Sequence, residues 1–283
     1  MKKILNVLLI LLLGICMFGC SNSSESSSNN VEPTNNDKPA DEPLPETVWL
    51  RSRETTSFNG GDISEYTVYE YDTEGNVIKT VRYKGQTDEV DHTVEITYDD
   101  SGRTLKTMDY DGDGQLTFIT EYEYLMGDQP SKITSHYADG TVGDYTSFEY
   151  NSAGQVTRMK NYTADNFLSQ TTETEYDEKG RTAKMSIHFE GYGDWSYVYE
   201  YDGELNNRVV MYDTDGSVSN IIENTYKNND PELLESAKYY DKDNNLYASA
   251  EYRYDDDGNM VSFAQFDPNG NMTMLTEYEY IKK

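Results

Sequence analysis

Cysteine is nearly absent from this 283-residue sequence, in which the two cysteines are Cys16 and Cys20. The rest of the chain offers no disulfide framework and no thiolate metal site. The three histidines, His92, His136 and His188, form no pair at metal-ligand spacing and are interpreted as isolated surface residues. No serine stands in Gly-x-Ser-x-Gly or Ser-x-x-Lys. These absences predict a non-catalytic protein without a cofactor.

Cationic residues are also scarce, with 23 Lys and Arg against 52 Asp and Glu, for a formal net charge of −29. Binding to nucleic acid or to anionic lipid through charge requires a cationic face. The composition therefore excludes nucleic acid as a partner and leaves any membrane attachment to a covalent lipid.

Long apolar runs are missing except at the N-terminus. A cationic start at residues 1–3 precedes an apolar run at 4–18, which ends at Gly19-Cys20 before a serine-rich stretch. This pattern is typical of a secretory signal. The Gly-Cys step resembles a bacterial lipoprotein cleavage site, so we expect residues 1–19 to be the signal and Cys20 to carry a lipid that anchors the chain to the outside of a bacterial membrane. An ordinary cleaved signal and an uncleaved anchor are the alternatives.

The next segment has almost nothing to bury. Residues 20–46 are mainly Ser, Asn, Glu, Asp and Pro, a composition that predicts a disordered tether. Order is expected to begin at Thr47–Leu50, so the folded domain is predicted to span 47–283. Trp49 is interpreted as a cap over the first sheet edge.

Tyrosine is abundant, with 26 copies, and it marks a repeat. One tyrosine per repeat, here called the anchor, recurs every 25 to 28 residues over more than 200 residues. A period this regular indicates a chain of identical supersecondary units. The anchors are Tyr71, Tyr98, Tyr124, Tyr150, Tyr176, Tyr201, Tyr226, Tyr254 and Tyr280.

Each unit reads as two strands and two turns. Most anchors have an aromatic residue two positions upstream and a glutamate between, as in Tyr69-Glu70-Tyr71, which is the period of a β-strand. An Asp-x-x-Gly turn follows, then a second alternating strand that ends in an aromatic residue, such as Tyr83. The predicted fold is all-β: an elongated antiparallel meander of about 17 strands, forming a twisted sheet or open spiral.

The string Tyr-x-Tyr-Asp-x-x-Gly-Asn, at Tyr69–Asn76 and Tyr252–Asn259, resembles the YD (RHS-type) repeat family. Partial copies begin at Tyr98 and Tyr176, and the resemblance covers about residues 63–283. In that family the repeats form long curling β-sheets, and its largest members wrap them into shells around a toxin domain, for which this chain is too short. The resemblance implies the sheet and a surface or secreted setting, and it supplies no catalytic residues.

One segment has the spacing of a calcium loop. Asp109, Asp111 and Asp113, followed by Gly114, match the first half of an EF-hand loop. Position 12, where a bidentate Glu belongs, is Thr120, and both flanks read as strands. A hairpin turn explains the same residues, so we expect no metal site here.

A second departure suggests a binding patch. Glu190-Gly191-Tyr192-Gly193-Asp194-Trp195 replaces the usual Asp-x-Asp-Gly turn. Tyr192 is predicted at an exposed hairpin tip, where with Trp195 it would form a platform for a sugar or a partner loop. Alternatively, Trp195 packs with the other rings of the sheet, since it shares the strand parity of Tyr201.

Together these features predict a non-catalytic cell-surface lipoprotein whose extended β-repeat module binds a protein or a glycan. The alternatives are a structural spacer or accessory subunit of a surface complex, and a polysaccharide hydrolase. A hydrolase is disfavoured because glutamates on an open sheet lack the apolar setting that raises a catalytic pKa.

Overall fold

A computed structural model of the protein describes residues 48–283, which form an antiparallel sheet of eighteen strands. A single 3-10 turn at Lys227–Asn229 lies between β14 and β15. The strands are β1 (Trp49–Phe58), β2 (Ile63–Tyr71), β3 (Val77–Lys84), β4 (Val90–Tyr98), β5 (Thr104–Asp111), β6 (Leu116–Tyr124), β7 (Pro130–Tyr137), β8 (Val142–Tyr150), β9 (Val156–Thr163), β10 (Leu168–Tyr176), β11 (Thr182–Phe189), β12 (Gly193–Asp202), β13 (Leu205–Tyr212), β14 (Val218–Tyr226), β15 (Leu234–Asp241), β16 (Leu246–Tyr254), β17 (Met260–Phe266) and β18 (Met272–Lys282).

The meander closes into a barrel. Each strand from β2 to β17 pairs with its neighbours in the chain, and β1 pairs with both β2 and β18. The all-β antiparallel meander is therefore confirmed, while the twisted sheet or open spiral is wrong. An open sheet would leave two strands with unpaired backbone groups, and pairing β1 with β18 removes both edges.

Strand β1 takes the place of a second strand in the last unit. Strand β18 carries the ninth anchor, and β1 pairs with it. Phe58 of β1 lies opposite Met274 of β18, as Tyr137 of β7 lies opposite Phe118 of β6, at the same distance before the anchor. Trp49, predicted to cap a sheet edge, instead lies opposite Lys282 in a sheet with no free edge.

Aspartate caps four of the turns that follow the anchors. In the first, Asp72 Oδ1 accepts backbone hydrogen bonds from Glu74, Gly75 and Asn76 at 2.8 to 2.9 Å, and Oδ2 accepts one from the Asn76 side chain. Gly75 adopts a φ of 98°, which a side chain would strain. The register shifts by one residue at Glu70/Tyr71, so the loop is a turn with a bulge. Asp99, Asp177 and Asp255 repeat the arrangement.

The two faces of the sheet differ in exposure. In β16, Ala250 is fully buried and Tyr252 is half-buried. The alternate residues Glu251 and Arg253 point to the opposite face and are exposed. We call these the ring face and the glutamate face. Because a closed sheet has an inside, and the ring face is the better shielded, we assign the ring face to the barrel interior.

A hydrogen bond from every anchor tyrosine ties its unit to the one before. The nine hydroxyls each donate to a backbone carbonyl about twenty residues earlier, at 2.5 to 3.0 Å, where the neighbouring strand begins. We call these bonds the tyrosine latches. The one from Tyr71 reaches Arg51 and so joins β2 to β1. The acceptors are Arg51, Val77, Thr104, Pro130, Val156, Thr182, Asn206, Leu234 and Met260.

The apolar core lies on the ring face of β12 to β17. Aromatic rings supply much of it, as the scarcity of Leu, Ile and Val indicates, and the buried alanines leave room for them. Its buried members are Val209, Ile222, Ala237, Tyr239 and Ala250, packed against Tyr197, Tyr199, Ala248, Tyr252 and Phe263.

Cations on the glutamate face make two kinds of contact. Arg158 forms ion pairs with Glu149 and Glu173 on the two flanking strands, at 3.1 and 2.6 Å. Lys132 instead places Nζ 4.5 Å from the centre of the Tyr145 ring. Both arrangements reduce repulsion between carboxylates on neighbouring strands.

Acid is expected to destabilise the barrel through its turns. Hydrogen bonds lower the pKa of Asp255, the Asn259 side chain being the first cause, and the same holds for Asp72 with Asn76. A lowered folded-state pKa gives stability that is present above the unfolded pKa, near 3.9, and is lost as pH falls through the folded value. We expect the unfolding temperature to drop below about pH 4, measured by circular dichroism. In Asp255→Asn the drop should be shallower, and an unchanged acid profile would contradict this account.

Candidate functional site

The barrel has two rims with different chemistry. The anchor rim consists of the turns that follow the anchor tyrosines, together with Val48, where the preceding chain joins, and Lys283, whose N–H donates to the Val48 carbonyl. The distal rim lies at the other ends of the strands. With strands of about nine residues, the two rims are roughly 30 Å apart along a strand. The distal turns are residues 59–62, 85–89, 112–115, 138–141, 164–167, 190–192, 213–217, 242–245 and 267–271.

Exposed aromatic rings concentrate at the distal rim. Among the residues that the structure describes, the anchor rim has one exposed aromatic residue, Trp49, and its other large exposed side chains, such as Leu125 and Met126, are aliphatic. Large exposed rings are the side chains that most often carry binding energy at interfaces. The exposed rings of the distal rim are Phe58, Phe118, Tyr137, Phe167, Tyr192 and Tyr247.

The structure separates the two residues predicted to form a platform. Tyr192 is 80% exposed at the tip of the β11–β12 hairpin, between Gly191 and Gly193, both of which have positive φ. Trp195 lies within β12 opposite Ile187, with its ring edge-on to Phe189 at 5.4 Å between centroids. Trp195 is thus held by packing on the ring face, and Tyr192 projects alone.

The neighbouring hairpin supplies a ring that sequence reasoning missed. Phe167 is 57% exposed at the end of the β9–β10 turn, after Asn166 in the left-handed conformation. The Glu190 N–H donates to the Ser169 carbonyl, which joins this hairpin to the one that carries Tyr192. A phenylalanine inside a turn otherwise made of Thr, Ala, Asp and Asn was the available signal.

Two separate open recesses lie at the distal end of the barrel. One, of about 580 Å³, lies between the β3–β4 and β5–β6 turns, and the other, of about 360 Å³, is lined by residues of β8, β9 and β10. The larger recess is bordered by the carboxylates of Glu89, Asp91, Asp111 and Asp113, with Lys84 at its edge. A recess of this size admits a side chain or a small ligand.

The calcium-loop candidates have other partners. Asp109 lies in β5 with Oδ1 3.2 Å from His92 Nε2, and Asp111 Oδ1 accepts backbone hydrogen bonds from Asp113 and Gln115. Within residues 48–283, no group of three or more His, Cys, Asp or Glu side chains is placed to hold a metal ion. The segment is a capped hairpin turn of the same kind as the others.

The histidines are not isolated, as the sequence interpretation had them. Each has a carboxylate partner: Asp109 for His92, Glu121 for His136, and Asp194 for His188. Hydrogen bonds to Asp194 first and Glu190 second raise the pKa of His188. His188 and Asp194 lie on either side of Tyr192, and their contact links β11 to β12 in its hairpin.

The remaining predicted features fall in residues 1–47, outside the described part of the chain: the signal at 1–19, the lipid attachment at Cys20 and the tether at 20–46. In the described part, no helix has the length and apolar character needed to span a membrane.

Comparison with known proteins finds only a distant similarity in fold among solved structures. No family model and no curated protein matches the sequence. Among solved structures, a porin-like protein from Bacteroides uniformis is similar at 12% identity and a TM-score of 0.49, over 83% of this chain and 99% of that one. A TcdB2–TccC3–Cdc42 structure is similar at 13% identity and a TM-score of 0.36, over 79% of this chain, which spans only 15% of that one. The function proposed below therefore rests on this chain's own residues.

Proposed function

We propose that the protein is a non-catalytic binding module, displayed outside a bacterial cell by a lipid on Cys20, that recognises a protein or a glycan through its distal rim. The observation that supports this most is the position of the exposed rings. They gather at the end of the barrel opposite Val48, where the tether would join. A module anchored through its N-terminus would present that end away from the membrane.

The repeat itself supports a scaffold role. We propose that the chain is related to the YD-type repeats, and here the tyrosines that define the repeat are used internally. Each anchor hydroxyl is committed to a latch, as for Tyr98 with the Val77 carbonyl at 2.8 Å. Ligand contacts therefore fall to the turns, which vary between units and sit on a rigid frame.

The proposal is tested by removing the two most exposed rings of the distal rim. We expect Phe167→Ala/Tyr192→Ala to lose at least about tenfold of the signal that the full chain, purified in detergent, gives on an array of glycans and peptides, because rings at hot spots are each worth more than 1 kcal/mol. The readout is the concentration dependence of binding to the array features that the unmodified chain recognises.

The matched control is Leu125→Ala/Met126→Ala, which removes two exposed apolar side chains from the anchor rim. It should leave binding unchanged. Equal losses in both variants, or an unmodified chain that binds no feature of the array, would count against the proposal and favour a structural spacer.

A further inference from the structure

We infer that the partner at the distal rim is a cationic protein segment, rich in Lys and Arg. This inference rests on the proposed function and names the ligand chemistry of the same surface. Three features of the rim support it: its charge, its exposed rings and the recess between its hairpins.

The charge of the distal turns is almost entirely of one sign. Lys242 is the one cation among the residues of these nine described turns, and it contacts its neighbour Asp243 at 3.0 Å. An anionic glycan or nucleic acid would be repelled, whereas a cationic chain would be attracted from a distance and held at short range. The acidic residues of these turns are Asp62, Asp88, Glu89, Asp113, Asp139, Asp165, Glu190, Asp213, Asp215, Asp243 and Asp267.

The exposed rings distinguish this rim from the anchor rim, which is also acidic. The barrel shows how its own cations use such rings: Arg53 lies 4.0 Å from the centre of the Tyr66 ring, and Arg51 lies 4.3 Å from that of Tyr278. A guanidinium over an aromatic face beside carboxylates gains from both. Tyr192 with Glu190, and Phe167 with Asp165, offer the same combination to a partner.

The larger recess gives a cationic side chain a place to enter. Glu89 and Asp113 are exposed at its border, and Lys84 is 3.5 Å from Glu89, so an ammonium group already occupies one side. A second Lys or Arg side chain would lie between Glu89, Asp111 and Asp113, where paired carboxylates favour a guanidinium.

The test compares equal charge changes at the two rims. The distal variant is Glu89→Gln/Asp113→Asn/Asp165→Asn, and the control is Asp100→Asn/Glu178→Gln/Asp256→Asn, which neutralises three exposed carboxylates in anchor-rim turns. The probe is a fluorescent peptide of alternating Arg and Gly, with an alternating Glu and Gly peptide as its counterpart. Binding to the full chain is measured by anisotropy at low and at physiological salt.

We expect the Arg peptide to bind and the Glu peptide not to bind. The distal variant should bind the Arg peptide about tenfold more weakly and the anchor-rim variant less than about twofold more weakly. Equal weakening in both variants would show that the Arg peptide is attracted to the acidic barrel as a whole, and this would overturn the inference. Absence of binding by the Arg peptide would overturn it as well.

The proposed binding rim and the proposed cationic partner can be contradicted independently of each other. If the Arg peptide shows no preference for the distal rim while Phe167→Ala/Tyr192→Ala still loses its signal on glycans, the cationic partner is wrong and the binding rim stands. If neither variant changes any binding, both are wrong.

Discussion

Cysteines at Thr56 and Thr276 are expected to form a disulfide that raises the free energy of unfolding by about 5 kcal/mol. The two hydroxyls lie 3.2 Å apart on β1 and β18, although 220 residues separate them in sequence. A cross-link over so long a loop removes much of the freedom of the unfolded chain. The measurement is denaturant unfolding with and without reductant, in a chain in which Cys16 and Cys20 are replaced by serine.

The control pair is Thr56→Cys/Thr172→Cys. Thr172 is also a buried threonine, but it lies on β10, which does not pair with β1. Its thiols should remain free and reactive. If the Thr56/Thr276 thiols also remained free under oxidising conditions, β1 and β18 would not be paired, and the open sheet predicted from the sequence would be restored.

The hairpin unit was predictable because its signals are local. Tyr69-Glu70-Tyr71 alternates with period two, and the aspartate and glycine of the next turn cap it and supply positive φ within four residues. Local alternation and turn chemistry determine each strand and its pairing with the next. They do not depend on where the other units lie.

Closure was not predictable in the same way, because it depends on a pairing between the two ends of the chain. Strand β1 lacks the tyrosines of the repeat and so reads as a separate cap. Its ring face carries Arg51 and Glu54, and Glu54 accepts a hydrogen bond from the Tyr69 hydroxyl at 3.0 Å.

The candidate site was likewise predictable only where its signals are local. The exposure of Tyr192 was predictable, since two flanking glycines place it at a hairpin tip. Its nearness to Phe167 depends on which hairpins are neighbours at the rim, and the turn that carries Phe167 shows no repeat signal. The accumulation of rings at one rim appears only when strand direction is followed through all eighteen strands.

The tyrosine latches lead to a second prediction, which has a smaller expected effect on stability and a more closely matched control. Replacing Tyr98 by phenylalanine keeps the ring but removes the hydroxyl that donates to the Val77 carbonyl. Because that carbonyl loses a donor in a partly buried position, we expect a loss of about 1 to 2 kcal/mol in the free energy of unfolding. For a domain of this size the midpoint should fall by roughly 2 to 8 °C, measured by thermal unfolding.

Tyr192→Phe removes the same atom from an exposed tip and should change stability by less than about 0.5 kcal/mol. A third variant, Tyr254→Phe, breaks the latch to the Leu234 carbonyl between β15 and β16, which do not pair with β3 or β4. Its effect should match that of Tyr98→Phe, and the two should add in the double variant because the sites share no partner. An effect at Tyr98 no larger than at Tyr192 would mean that ring packing alone, without the hydroxyl, holds neighbouring units together.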